Sequence, residues 1–151
     1  MKKFLLVLGC ITLFLIILAG GYICYAAIRG HQLDVSSKAY VDANVPIFIS
    51  SWSEDELLKR ASTDLRESLA GQQGSQFLSK VKQLGKCQSY DGCEGQAYIN
   101  YSLQYGKVIT AFYTARANFQ NDKAKIKIEL VWQNSQWQIQ MITVNSPLFT
   151  K

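Results

Sequence analysis

The sequence predicts an α+β domain behind an N-terminal membrane helix. An unbroken apolar run occupies most of the first 30 residues. Beyond it, apolar residues recur with the helical period of about 3.6 as far as Gly85, and with the strand period of about 2 afterwards. Helices first and strands later are typical of a helical layer on one antiparallel sheet. We therefore expect about three helices packed on a curved sheet of four to five strands.

The N-terminal run has the length and flanks of a membrane anchor. Residues 4–28 contain no charged side chain, and Lys2 and Lys3 precede them while Arg29 follows. As a helix the run measures about 37 Å, against about 30 Å for the hydrocarbon core of a bilayer. The positive-inside rule places the N-terminus in the cytoplasm. We expect a single-pass anchor that contacts the bilayer of the cell inner membrane through this run. The C-terminal domain is then periplasmic or extracellular.

Two other interpretations of the run also export the rest of the chain. Val7–Cys10 has some likeness to a lipoprotein cleavage box, but the apolar stretch before the cysteine, Phe4–Gly9, is shorter than an ordinary h-region. A cleaved signal would use Cys24–Ala26, a poor small-x-small site. Because the run is longer than an ordinary h-region, an uncleaved anchor is favoured.

The chain divides into an anchor, residues 1–30, and an exported domain, residues 31–151, which is long enough for one core. Lys2, Lys3 and Arg29 flank the predicted membrane helix. The exported domain then contains the remaining 13 of the 16 basic residues and all 11 acidic residues, a net charge of +2. These charges are dispersed along the sequence. Nucleic-acid binding needs a concentrated basic surface, so no nucleic-acid partner is expected.

Three helical segments are predicted in the exported domain. The first, Ser36–Ser50, should kink or end near Pro46, because proline removes a backbone donor and clashes with the preceding turn. Ser53 and the glutamate three residues later form a capping box that begins the second. After a break at Gly71–Gly74, an apolar stripe predicts the third at about Ser75–Leu84.

Four later segments are rich in Val, Ile, Thr, Tyr and Phe, which favour strands. The third alternates most clearly: Ala124, Ile126 and Ile128 alternate with charged residues, so one face should be buried and the other exposed to solvent. The short connections Gln120–Asp122 and Gln133–Gln136 force antiparallel pairing of neighbours. The four predicted strands are 96–105, 107–119, 123–132 and 136–144.

The segments LGKCQSYDGCEG, GKVITAFYTARANF and KIELVWQNSQWQIQMITVNS cover about half of the exported part. In this order, after helices, the chain resembles the NTF2-like or cystatin-like fold group. It is most similar there to small bacterial membrane-anchored domains of unknown function. That group includes enzymes, secretion-apparatus domains and scaffolds, so the resemblance implies architecture and not chemistry.

Cys87 and Cys93 lie in a polar segment, on either side of Tyr90, Asp91 and Gly92, which we expect to form a turn. A disulfide between them fits an oxidising compartment, and closing this loop is worth about 2.4 kcal/mol in the chain-entropy model. A zinc site would need His31 and a fourth ligand, and its cysteines are usually spaced C-x2-4-C. The redox motif C-x-x-C is absent. We predict a structural disulfide, and no metal or cofactor.

Candidate site residues are few. The sequence contains no G-x-S-x-G motif and no glycine-rich phosphate loop after a strand. Arg116, in the middle of a predicted strand, and Tyr113 are the candidates to line a pocket of a concave sheet. Alternation groups Arg116 with Thr114 and Asn118, a pattern that fits a solvent-exposed face better than a pocket.

The sequence thus favours a non-enzymatic binding or scaffold domain of the cell envelope with a protein partner. One alternative is a small-ligand-binding or enzymatic domain that uses a cavity between helices and sheet. Another is an assembly factor of a secretion or respiratory complex. A polar-lined cavity containing Arg116 would favour the first alternative, and an interior filled by side chains would favour the scaffold.

Overall fold

The structure, a computed structural model, describes residues 2–103 and 106–150. It divides into two compact units, Met1–Leu33 and Asp34–Lys151. The first helix, α1 (Lys2–Ile49), begins in the first unit and ends in the second. The division falls three residues after the boundary that the sequence suggested at residue 30.

The part of α1 in the first unit is apolar and exposed. Its large apolar side chains between Ile11 and Ile28 are 52–73% exposed. Within Ile11–Ile49, an 18-residue window reaches a mean hydropathy of 2.2 with none of it buried. By length and composition, this is the one helix in the described part of the chain that can cross a membrane. The predicted span 4–28 begins with side chains, up to Cys10, that lie outside the described residues, and so does the Cys24 side chain.

The part of α1 in the second unit corrects one prediction. No separate helix begins at Ser36, and α1 runs through Pro46 to Ile49. Val45, Phe48 and Ile49 are each at most 1% exposed. Full burial of such side chains contributes about 1.5–3 kcal/mol each, which together exceeds the cost of about 3 kcal/mol for a proline inside a helix. Tertiary packing therefore extends the helix past its local stop signal.

Three short helices follow, one more than predicted there: α2 (Glu54–Arg60), α3 (Thr63–Ala70) and α4 (Gln72–Lys82). The predicted start of α2 is confirmed, since Ser53 Oγ accepts a hydrogen bond from the Glu56 backbone N–H at 3.4 Å. Ser62 caps α3 in the same way, accepting from the Leu65 N–H at 3.3 Å. A second serine cap thus begins a helix that the sequence merged with its neighbour.

The predicted glycine break between helices is shorter than expected. α4 begins directly after Gly71, and Gly74 lies inside it. A Cβ atom on Gly74 would lie 2.1 Å from the Leu69 carbonyl oxygen. Glycine at this position therefore permits the close turn of α4 against α3.

Four strands form one antiparallel sheet in the order β1-β2-β3-β4: β1 (Cys87–Ser102), β2 (Gly106–Phe119), β3 (Lys123–Gln133) and β4 (Gln136–Asn145). Asn134 and Ser135 join β3 to β4 with φ values of 52° and 61°, as a type I′ turn requires at both central residues. The predicted end of the first strand, residues 104 and 105, lies outside the described residues. A short 3-10 helix, Pro147–Thr150, follows β4.

The helices cover one face of this sheet, and the α+β prediction is confirmed. On β3, Ala124, Ile126 and Ile128 are buried, while the alternate lysines are exposed. The buried face forms the core with Phe48 and Trp52. The opposite face, here called the open face, carries exposed side chains from the three later strands: Phe112, Arg116, Lys123, Lys125, Lys127 and Met141.

The two outer strands bond to the helical part of the second unit. The Asp34 carboxylate accepts a hydrogen bond from the Ala97 N–H of β1 at 2.7 Å. At the other side, the Ser62 N–H donates to the Ile139 carbonyl of β4 at 2.8 Å, and Ala61 forms a parallel bridge with Ile139. Residues of the helical part are thereby bonded to both edge strands of the sheet.

Candidate functional site

The two residues predicted to share a pocket lie on opposite faces of β2. Tyr113 is 2% exposed, and its hydroxyl lies 2.8 Å from Ser37 Oγ and 3.2 Å from the Asp34 carbonyl oxygen, to which it donates. Burial raises the pKa of Tyr113 above its ordinary value. Arg116 is exposed on the open face, where its Nη2 lies 3.0 Å from Glu94 Oε2. An odd spacing of three residues along a strand explains this separation.

Cys87 and Cys93 do not flank a turn. β1 runs through both, with Cys87 opposite Phe119 and Cys93 opposite Ala115. Four residues of β2 span about 13 Å, whereas a disulfide needs Cα atoms about 4–7 Å apart. The sulfur atoms are not bonded to each other: the Cys87 thiol donates to the Ser89 carbonyl at 3.5 Å. In this structure the predicted disulfide between Cys87 and Cys93 is therefore not present.

A β-bulge replaces the expected turn. Between Tyr90 and Cys93, the register with β2 shifts by one residue. Gly92 in this interval has a φ of 88°, the left-handed conformation that bulges often assign to glycine. The Asp-Gly pair that suggested a turn therefore bends a continuous strand.

This bulge positions two side chains of β1 beside one turn of α1. Asp42 Oδ1 accepts from the Tyr90 hydroxyl at 2.8 Å and from the Cys93 thiol at 3.2 Å. Asp42 Oδ2 pairs with Lys38 Nζ at 2.5 Å, one helical turn away. We call Lys38, Asp42, Tyr90 and Cys93 the Asp42 cluster. It fastens α1 to β1 through one carboxylate.

The Asp42 cluster holds its protons in a defined way. Burial would raise the pKa of Asp42, but the hydrogen bonds from Lys38, Tyr90 and Cys93 outweigh it and hold the pKa below its ordinary value. Burial, then the hydrogen bond to Asp42, raises the pKa of the Cys93 thiol to about 11. At neutral pH Asp42 is therefore an anion and Cys93 a protonated donor, which is a poor nucleophile. The cluster is suited to structural linkage.

Slow alkylation of Cys93 is the expected chemical consequence. At pH 8 a pKa of about 11 leaves about one thiol in a thousand ionised, against about a quarter for an ordinary cysteine. We expect Cys93 to react with iodoacetamide at least about a hundredfold more slowly than the exposed cysteine of a Ser89→Cys variant, by peptide mass mapping. Unfolding in denaturant without reductant should make Cys87 and Cys93 fully reactive. If both cysteines resisted alkylation in denaturant until reductant was added, they would be joined by the disulfide that the sequence predicted.

Two of the concave regions lined by described residues include side chains of the open face. The larger, about 790 Å³, is here called the basic groove. It lies at the end of the sheet, where β2, β3 and β4 approach the C-terminal 3-10 helix, and its lining includes residues of both faces. In register, Arg116 sits directly beside Lys125, and Asn118 beside Lys123. Lys80 of α4 also lines it, with its Nζ 4.9 Å from the centre of the Phe149 ring. The groove thus combines four cationic side chains with one carboxylate, that of Asp91.

The second region, about 340 Å³, is more apolar and lies further along the same face. Phe112 and Met141 line it and are 46% and 55% exposed. The Tyr98 ring meets the Phe112 ring edge-on, with centroids 5.8 Å apart. Lys127 and Glu129 also line it. The open face therefore passes from a basic end to an apolar end.

The sequence predicted the solvent-exposed face of β3, but it predicted neither the basic groove nor the Asp42 cluster. The lysines of β3 were expected to be exposed, but their juxtaposition with Arg116 depends on the β2–β3 register. The Asp42 cluster joins residues 48 and 51 positions apart in the chain. Among residues 2–103 and 106–150, no group of three or more His, Cys, Asp or Glu side chains is placed to hold a metal ion.

Comparison of the chain with protein-family models, with curated proteins and with solved structures finds no match. The NTF2-like or cystatin-like grouping therefore stays a prediction.

Proposed function

We propose that the chain is a membrane-anchored, non-enzymatic binding domain of the cell envelope that holds a protein partner on its open face. The observation that carries this proposal is the uncovered sheet face, on which Phe112, Met141 and Tyr98 are each more than 40% exposed. Neighbouring exposed apolar side chains on an otherwise polar sheet face are typical of interaction surfaces. Polar and charged neighbours such as Lys127 and Glu129 give the rim that such surfaces have.

The location proposed for this domain follows from the N-terminal segment. Residues 4–28 would cross the inner membrane once, with Lys2 and Lys3 in the cytoplasm and Arg29 on the far side. The domain after Arg29 is then periplasmic or extracellular. We also propose an NTF2-like or cystatin-like arrangement, which is supported by helices followed by a four-stranded antiparallel meander.

The burial of the helix-facing side chains supports a binding surface over an internal ligand site. Phe48, Trp52, Tyr113 and Ile128 are each at most 2% exposed and fill this side of the sheet. Arg116 is on the open face and lines the basic groove, which is open to solvent at the end of the sheet and is not an internal cavity. An assembly role in a secretion or respiratory complex would use the same open face, and the identity of the partner decides it.

Photo-cross-linking in intact membranes tests this proposal. We expect benzoylphenylalanine in place of Phe112 or Met141 to give a discrete protein adduct on irradiation, identified by mass spectrometry. The control is the same residue in place of Glu67, which is exposed on α3. Absence of adducts from both open-face positions, or the same adducts from position 67, would contradict the proposal.

A further inference from the structure

The basic groove carries an excess of positive charge that the fold itself does not use. Lys123 and Lys125 are exposed and form no ion pair with any residue in the ranges 2–103 and 106–150. Arg116 is paired with Glu94, but both side chains are more than half exposed, and such pairs exchange readily for other partners. The groove is therefore electrostatically complementary to an anionic ligand.

The spacing of the cations identifies the form of that ligand. Lys123 and Lys125 of the groove, and Lys127 of the neighbouring apolar region, lie on one face of β3, so their Cα atoms repeat at about 6.7 Å. An extended polypeptide repeats its same-side residues at the same distance. Arg116 lies directly beside Lys125 and provides a second cation at that step. Carboxylates at alternate residues of an extended segment would thus each meet a cation.

The size and lining of the groove agree with a chain segment. At about 790 Å³ it is much larger than the roughly 30 Å³ of a single water molecule, and it falls within the range of ligand sites. Val144, Pro147 and Phe149 give it apolar walls that suit the aliphatic part of glutamate side chains. Asp91 lines the groove together with the cations, which disfavours a polyanion with charge on every unit, such as a nucleic acid.

We propose that the basic groove binds an extended acidic segment of the partner, with carboxylates at alternate positions. This inference rests on the proposed function of the open face and adds the chemistry of the partner. The apolar region around Phe112 and Met141 would hold the adjoining part of the same partner.

A labelled peptide tests the inference on the full chain in nonionic detergent. The probe is a fluorescein-labelled octapeptide in which Glu alternates with Thr, and binding is followed by fluorescence anisotropy at low ionic strength. We expect it to bind at least about fivefold more tightly than an isomer with its four Glu residues contiguous. Binding should weaken as salt is added, because exposed charges are screened.

Charge reversal of the groove provides the matched comparison. The double variant Lys123→Glu/Lys125→Glu should weaken binding at least about tenfold, because attraction is replaced by repulsion. Lys82→Glu/Lys107→Glu changes the net charge equally at exposed positions outside the groove, and should change binding less than twofold. If the groove variant does not retain the parent Tm, Lys123→Gln/Lys125→Gln replaces it, with a loss of at least about threefold expected.

Several results would overturn this inference. They are no measurable binding, equal binding of the two isomers, equal losses in the two reversed variants, or tighter binding of an oligonucleotide of equal charge. Benzoylphenylalanine at Phe112 then separates the two proposals. If adducts form in intact membranes but the acidic peptide does not bind, the proposed function is retained and only the acidic segment is contradicted. If the variant with benzoylphenylalanine at Phe112 and an unchanged groove gives no protein adduct, the proposed function itself is contradicted.

Discussion

Replacing Ile128 with Asp is expected to unfold the second unit. Ile128 is 2% exposed on β3, between Tyr113 of β2 and Ile142 of β4 in the sheet register. A carboxylate at this position would be buried without a partner, at a cost of several kcal/mol. Because whole domains are stable by about 5–15 kcal/mol, this loss is expected to abolish the native near-ultraviolet circular dichroism spectrum at 25 °C.

The neighbouring residue supplies the control. Lys127 is exposed on the open face, and Lys127→Asp should change the free energy of unfolding by less than about 1 kcal/mol. Urea denaturation of both variants measures the difference. Similar losses at the two positions would mean that the alternation of β3 is not what separates core from solvent.

Replacing Gly95 with Ala should also destabilise the second unit, by less than Ile128→Asp does. Gly95 lies opposite Tyr113 in the β1–β2 pair. A Cβ atom there would lie 1.9 Å from the Phe112 carbonyl oxygen and 2.7 Å from Tyr113 Cδ1. Either β1 moves away from β2 or the Tyr113 ring leaves its place beside Ser37. We expect a decrease of about 2–3 kcal/mol in the free energy of unfolding, in line with overpacked cores.

Gly71→Ala is the matched substitution for this test. At Gly71 the nearest atom to an added Cβ is the Ser68 carbonyl oxygen at 3.8 Å, an ordinary contact. Its φ of −88° suits alanine, so thermal unfolding should change little. Equal decreases in Tm for the two variants would contradict the close approach described at Gly95.

Local patterns in the sequence were enough to predict that helices come first and strands follow. The Ser53 cap lies within hydrogen-bonding reach of the Glu56 N–H, and the alternation from Lys123 onwards separates buried from exposed residues of β3. These features depend on residues two or three positions apart. Propensity and periodicity report such short-range relations directly.

Two of the failures involve a choice that tertiary contacts decide. Pro46 is a helix stop signal that burial of Val45, Phe48 and Ile49 overrides. Asp91-Gly92 is compatible with both a hairpin turn and a bulge, and only pairing with β2 selects the bulge.

The candidate sites depended even more on long-range pairing. Asp42 meets Tyr90 only because α1 lies beside β1, and Arg116 meets Lys125 only in the observed register. No local signal in the sequence specifies either contact. The alternation of charge on β3 was visible, but one strand alone cannot show a groove.

The hydrogen bonds made by the two outer strands bear on whether a strand of another molecule can extend this sheet. An outermost strand presents unpaired N–H and C=O groups that can recruit a strand from another molecule. Here Asp34 occupies the Ala97 N–H, and two bulges distort the beginning of β1, while Ser62 occupies the Ile139 carbonyl of β4. These contacts oppose strand addition at one backbone group of β1 and one of β4. A strand from another molecule would have to displace these groups before it could extend the sheet at Ala97 or Ile139.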